Sequence, residues 1–155
     1  MLTPDVNVLL YAHRSDDPAH VPYRKWLEAT VNGPEPFGLS VLVAVGFVRI
    51  ATNPRVYPEP TTPSLALAEI DALVARPNCR LLAPGPQHWA MVSTLCRATA
   101  ASGKLVADAQ HAALAMEHGC TWVTRDADFE AFAAHGLRWN HLVLPTGRRR
   151  PARRR

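Results

Sequence analysis

The stretch Met1-Leu2-Thr3-Pro4-Asp5-Val6-Asn7-Val8-Leu9-Leu10-Tyr11-Ala12 decides how this chain folds. Leu2 to Pro4 reads as a short strand, Asp5 stands at its carboxyl end, and the apolar run from Val8 to Ala12 starts a helix. Ligands of an open α/β sheet bind in the crevice outside the carboxyl ends of the strands, so an acid there is placed for chemistry. Pro4 has no N–H for a ladder bond, which suits the last position of a strand rather than its middle. Asp is also a preferred helix N-cap, and the two readings of Asp5 are compatible.

Downstream, strands and helices alternate. Asp17-Pro18 reads as a helix start with Pro at the first helical position, and Tyr23, Trp26, Leu27 and Thr30 recur at helical spacing before Asn32-Gly33. Phe37 to Leu39 is a strand candidate, and Ser40 caps the helix VLVAVGFVRIAT. That helix is apolar nearly all round, which predicts burial. After a proline-dense loop, Thr62-Pro63 opens a helix with Ala66, Ile70, Leu73 and Val74 on one face. Asn78 to Leu82 reads as a strand. Pro86 to Ser102 reads as a helix with Trp89, Val92, Leu95 and Cys96 toward the core. Leu105 to His118 is an Ala-rich helix closed by Gly119. Cys120 to Thr124 is a strand, Asp126 to Ala134 a short helix and Arg138 to Leu144 an edge strand. The alternation predicts an α/β fold with a mostly parallel sheet covered on both faces.

With 155 residues and 48% hydrophobic content, the chain suits one globular domain. No apolar run approaches the ~18 residues that span a bilayer, and the N-terminus enters a strand directly, so neither a membrane segment nor a signal peptide is expected. Cys79, Cys96 and Cys120 are odd in number and far apart, which speaks against a disulfide frame and for a reducing, cytoplasmic setting. The net charge of +4 belongs to the end of the chain: GRRRPARRR holds six of the 17 Lys and Arg and none of the 13 acids. Residues 1–147 therefore read as one mildly acidic domain. Residues 148–155 read as an Arg-rich disordered tail, either merely solvated or gripping RNA phosphates.

Acids mark the other strand ends. Asp108 sits in the first turn of the Ala-rich helix among small and apolar neighbours, where core packing does not explain it. Asp126 and Asp128 follow the apolar strand TWVT. Carboxylates from distant parts of the chain that meet in one crevice repel each other unless a cation neutralises them. Oxygen ligands without cysteine suit Mg²⁺ or Mn²⁺, and such an ion suits phosphodiester hydrolysis. His111 lies one turn from Asp108 and either faces the crevice or packs. Arg49 and Arg55 could orient RNA, Glu117 reads as surface, and Trp26 and Trp89 could also serve a protein interface.

Four segments in order, DVNVLLYA (5–12), the helix and loop from LS to TNPRVY (39–57), DAQHAALAMEHG (108–119) and VTRDADF (123–129), resemble the PIN-domain family. Within it they resemble the VapC ribonuclease toxins of bacterial type II toxin–antitoxin (VapBC) pairs, in their actinobacterial branch. The resemblance runs from Met1 to about Pro145. It implies a three-layer α/β/α fold and a Mg²⁺- or Mn²⁺-dependent endoribonuclease that cuts structured RNA, tRNA or rRNA, and so inhibits translation and growth. It also implies a homodimer and a VapB-like antitoxin that inserts a segment into the active site. Carried over, Asp5 and Asp108 match the principal metal ligands, and Asp126 with Asp128 matches the fourth acidic region. The implied catalytic set is thus Asp5, Asp108, Asp126 and Asp128, with Asp5, Asp108 and Asp126 on the metal. Thr124 matches a polar residue at that strand end. The departure is Gly46, six residues after Ser40, where the family usually has a glutamate. Gly46 motivates a rival reading, a PIN-like module that binds RNA or a partner without cutting. A phosphotransfer enzyme with Asp5 as nucleophile is a second rival, weakened because Asn7, not Asp, stands two residues on.

Overall fold

A computed structural model describes residues 1–146 of the chain; the Arg-rich segment 148–155 lies outside the described residues. Five parallel strands form the sheet: β1 (Leu2–Pro4), β2 (Phe37–Ser40), β3 (Cys79–Leu82), β4 (Thr121–Thr124) and β5 (Trp139–His141). Their order across the sheet is β3-β2-β1-β4-β5. The central strand is therefore the first one, and its neighbour on one side is the next in sequence while on the other it is the fourth. The strand order reverses between β1 and β4, and at such a switch point the loops leave in opposite directions and open a crevice. Asp5, just after β1, and Thr124, the last residue of β4, stand side by side at that crevice.

The helices are α1 (Val6–His13), α2 (His20–Val31), α3 (Val41–Ala51), α4 (Pro63–Val74), α5 (His88–Thr99) and α6 (Lys104–Glu117), with a 3-10 segment over Ala127–His135. α1 packs on α2 and α3, and α3 on α4; α5, α6 and the 3-10 segment pack on one another. The result is the expected three-layer α/β/α arrangement. The centre is aromatic on the α6 side: Trp122 lies tilted against Phe129 at 5.4 Å between ring centroids, and Phe129 meets Phe132 at 6.1 Å. All three are fully buried, and each such side chain contributes about 1.5–3 kcal/mol. These rings seat the 3-10 segment against β4 and so fix where Asp126 and Asp128 emerge.

The local signals account for most boundaries. Ser40 Oγ accepts from Leu42 N–H at 3.1 Å, Thr62 Oγ1 from Leu65 N–H at 3.3 Å, and Gly119 takes a positive φ of 61° behind α6. Four expectations are corrected. Pro18 lies in a turn, not at the first helical position: Asp17 Oδ1 takes the Ala19 N–H at 2.7 Å, and α2 begins only at His20. α3 is not wholly buried; Val43, Phe47 and Ala51 face the core while Val45 is 68% exposed, because the helix covers the sheet with one side only. Trp89, expected in the core, is 77% exposed, and Val74 is exposed at the end of α4; Val92 and Leu95 hold the core side of α5. No helix among the described residues is long and apolar enough to cross a membrane, and Cys79, Cys96 and Cys120 are free thiols.

Candidate active site

Asp5 ends β1 and caps α1. Its backbone N–H donates to Val123 O of β4 at 2.8 Å, which pins the two central strands together. Its side chain is almost fully buried. Oδ1 accepts from Val6 N–H at 2.6 Å; Oδ2 accepts from Asn7 Nδ2 at 2.9 Å and from the Thr124 hydroxyl at 2.6 Å. Thr124 Oγ1 in turn accepts from Asn7 Nδ2 at 3.1 Å and from Asp126 N–H at 3.0 Å. Asn7 Oδ1 takes the Arg125 N–H at 3.3 Å. The buried hydroxyl of Thr124 thus gives its one proton and fills both lone pairs, and it ties the end of β1 to the loop that carries Asp126. Burial pushes the Asp5 carboxyl up to about 6 against these hydrogen bonds, and the nearby charges of Asp108 and Asp126 push it the same way.

The remaining acids meet across the crevice. Asp108 comes from α6, Asp126 caps the 3-10 segment by accepting from Asp128 N–H at 3.0 Å, and Asp128 lies in its first turn. One carboxylate oxygen from each of Asp108, Asp126 and Asp128 lies within 4.8 Å of the others. Asp5 stands beside this group rather than in it, close enough to feel two of its charges. Asp108 is buried, and its Oδ2 is without a hydrogen-bond partner. Burial raises its carboxyl, Lys104 opposes this, and Asp126 and Asp128 add to it. For Asp126 partial burial acts upward, but the Lys104 and Asp128 N–H hydrogen bonds outweigh it and hold the group below its ordinary range. Three carboxylates with hard oxygen donors and one orphaned buried oxygen fit a divalent cation such as Mg²⁺ or Mn²⁺. A shallow polar hollow of about 330 Å³, lined by Asn7, Tyr11, Arg125, Asp126 and Ala127, opens beside them.

Residues 2–135 match the family described as the PIN domain. Ribonuclease VapC43 of Mycobacterium tuberculosis is 45% identical over 141 residues, which cover 91% of this chain and 95% of that protein. Ribonuclease VapC25 of the same organism is 40% identical over 86% of this chain and 94% of its own length. This chain belongs to the PIN-domain family, among the VapC ribonucleases. Solved structures agree in fold. FitAcB from Neisseria gonorrhoeae superposes with a TM-score of 0.64 at 19% identity, covering 91% of this chain and 98% of that one. Mycobacterium tuberculosis VapC20, described as a sarcin–ricin loop cleaving toxin, gives 0.64 at 15% identity over 92% and 98%.

In this PIN domain the residue that sequence reasoning missed is Lys104. α6 begins there, one residue earlier than expected, so Asp108 sits just past the first turn and Lys104 occupies it. The Lys104 ammonium donates to Asp126 Oδ2 and, at 2.9 Å, to Asp128 Oδ2, and lies 3.7 Å from Asp108 Oδ2. A lysine four residues before an acid on one helix is the signal that could have found it. At the departure from the PIN pattern, a Cβ on Gly46 would meet only Val6 Cγ2, at 3.7 Å. The position therefore lies against the residue next to Asp5, with room for a side chain. His111 packs: its ring stacks on Trp122 at 5.3 Å, and burial, with the charge of His88, lowers its pKa to about 4. Glu117 is not a free surface acid, since its carboxylate accepts from Gly85 N–H at 3.0 Å and Gln87 N–H at 3.3 Å. Arg49 and Arg55 are exposed; Trp26 packs partly against the core.

Proposed function

We propose that this PIN domain is a divalent-metal-dependent endoribonuclease and the toxin of a toxin–antitoxin pair. The observation that carries the reading is the meeting of Asp108, Asp126 and Asp128, from two separate elements, beside the buried Asp5 at the switch point of the sheet. Asp108, Asp126 and Asp128 would hold the ion, with Asp128 in place of the Asp5 expected from the sequence and Asp5 beside them in the acidic wall. When bound there, Mg²⁺ or Mn²⁺ lowers the pKa of water and stabilises charge on a phosphate. Asp5, kept in one orientation beside the cluster by Thr124, Asn7 and Val6 N–H, would act as general base toward an attacking water. Water rather than the ribose hydroxyl is then the nucleophile, and the products carry a 5′-phosphate and a 3′-hydroxyl.

The substrate proposed is structured RNA, tRNA or rRNA, read by shape and local sequence. The partners proposed are a VapB-like antitoxin and a second copy of the chain, in the cytoplasm. The full fold as one domain over residues 1–147, with the Arg-rich end as an appendage to the nuclease, is part of the same reading. Gly46 favours a second reading, a PIN-like module that binds RNA or a partner without cutting it.

Purified protein incubated with total RNA separates the two. Cleavage is expected with Mg²⁺ or Mn²⁺, none in EDTA, and Asp5→Asn or Asp108→Asn should each lower it by roughly 100-fold or more. Metal-dependent cleavage that survives in Asp108→Asn rejects the site; RNA binding without any cleavage favours the second reading.

A further inference from the structure

Lys104 is in a place that local physics disfavours. It opens α6, where the helix dipole favours anions. The first turn of that helix holds no acid, and the N-cap Gly103 supplies no side-chain bond. Its side chain is 63% exposed, a condition under which a single ion pair adds little to stability. Yet the ammonium does not extend into solvent. It turns back onto Asp126, Asp128 and Asp108 together, and is the only base among the described residues that pairs with any of them.

Three clustered carboxylates need a cation, and the ammonium meets that need only in part. It donates to two of them, while Asp108 Oδ2 stays buried, 3.7 Å away, without a hydrogen-bond partner. A divalent ion brings twice the charge and approaches oxygen at about 2.0–2.2 Å. The two cations cannot sit among the same three carboxylates at once, because they would repel at contact distance. The lysine stem is long and mostly in water, so it can swing aside.

We propose that Lys104 is the resident counter-ion of the acidic cluster: it holds Asp108, Asp126 and Asp128 together before a divalent ion arrives, and competes with that ion for them. The proposal rests on the reading above that this cluster takes a divalent cation. Lys104 is on this view a positioning residue that sets the metal concentration at which the site fills.

The test is Mn²⁺ binding to the full chain, measured by titration calorimetry on metal-free wild type, Lys104→Met and Lys104→Arg, with melting temperatures in EDTA and in Mn²⁺. Lys104→Met should bind Mn²⁺ roughly tenfold tighter or more. It should melt lower than wild type in EDTA and gain more from Mn²⁺, and a variant that folds only with Mn²⁺ present would show the same effect in its extreme form. Lys104→Arg keeps the charge and should stay close to wild type in both. Equal or weaker Mn²⁺ binding by Lys104→Met, with wild type binding normally, overturns the counter-ion role and leaves the cation site standing. If neither protein binds Mn²⁺, the cation reading of the cluster fails and the proposal falls with it.

Discussion

The two lips of the crevice are built by different physics. On the β1 side, the buried Asp5 and Thr124 are locked by hydrogen bonds to each other and to the half-buried Asn7, and Thr124 has no exposed surface at all. On the α6 side, Asp126, Asp128 and Lys104 are held mainly by charge, at a surface open to water. The first arrangement is set by directional bonds and costs desolvation; the second is set by Coulomb attraction and is screened by salt. The dry side therefore fixes geometry by itself, and the proposed exchange of Lys104 for a divalent ion belongs to the wet side.

The two sides should titrate with opposite sign. Burial raises Asp5 from 3.8 to about 6, so its contribution to folding is fully present below about pH 4 and is lost as pH rises through 6. A displacement of this size corresponds to roughly 3 kcal/mol. Asp126 is held below its ordinary value, so its contribution is present at neutral pH and lost as pH falls through the acid range. Urea unfolding in EDTA from pH 2.5 to 8 reads this directly, the Asp126 change falling below about pH 4 and the Asp5 change between about pH 4 and 6. The stability of wild type minus Asp5→Asn should fall with rising pH, and that of wild type minus Asp126→Asn should climb. Parallel slopes would erase the distinction between the lips. Saturating Mn²⁺ should flatten the Asp5 slope, since a bound cation offsets the charge.

Thr124→Val probes the hinge between the sides at nearly constant shape. It removes the donor to Asp5 Oδ2 and leaves Asp126 N–H without its acceptor. Loss of a buried partner of this kind costs about 1–3 kcal/mol. Calorimetry should show that loss, and RNA cleavage should fall further than stability alone explains, because Asp5 is then free to turn. Full activity with the expected loss of stability would mean that Asp5 is held well enough by Val6 and Asn7.

The dry side was the more legible in the sequence. A proline at a strand end, an acid after it and an apolar run place Asp5 with little ambiguity, and the β-strand pattern of TWVT places Thr124. Periodicity also finds the α5 core positions Val92 and Leu95. It fails for α3 and Trp89, where hydrophobic character says a side chain can be buried but not that enough partner surface exists to bury it. Lys104 escaped for a different reason. A lysine in a loop-to-helix junction is an ordinary surface residue until the 3-10 segment, some twenty residues on, returns Asp126 and Asp128 to it. Such a network is a property of topology, and no local pattern encodes it.

The smallest expected effect lies at Gly46, in the middle of α3 and against Val6 on the dry side. Glycine in a helix interior is worth about 0.5–1 kcal/mol less than alanine. A Cβ there meets Val6 Cγ2 at an ordinary 3.7 Å, so Gly46→Ala should stabilise the protein by about that amount. If the position matters to chemistry only through the charge it lacks, Gly46→Ala leaves cleavage unchanged while Gly46→Glu lowers the Mn²⁺ concentration needed for half-maximal cleavage. If instead Gly46→Ala itself depresses cleavage, the glycine is retained for space beside Asp5, and the dry lip is less rigid than its hydrogen bonds imply.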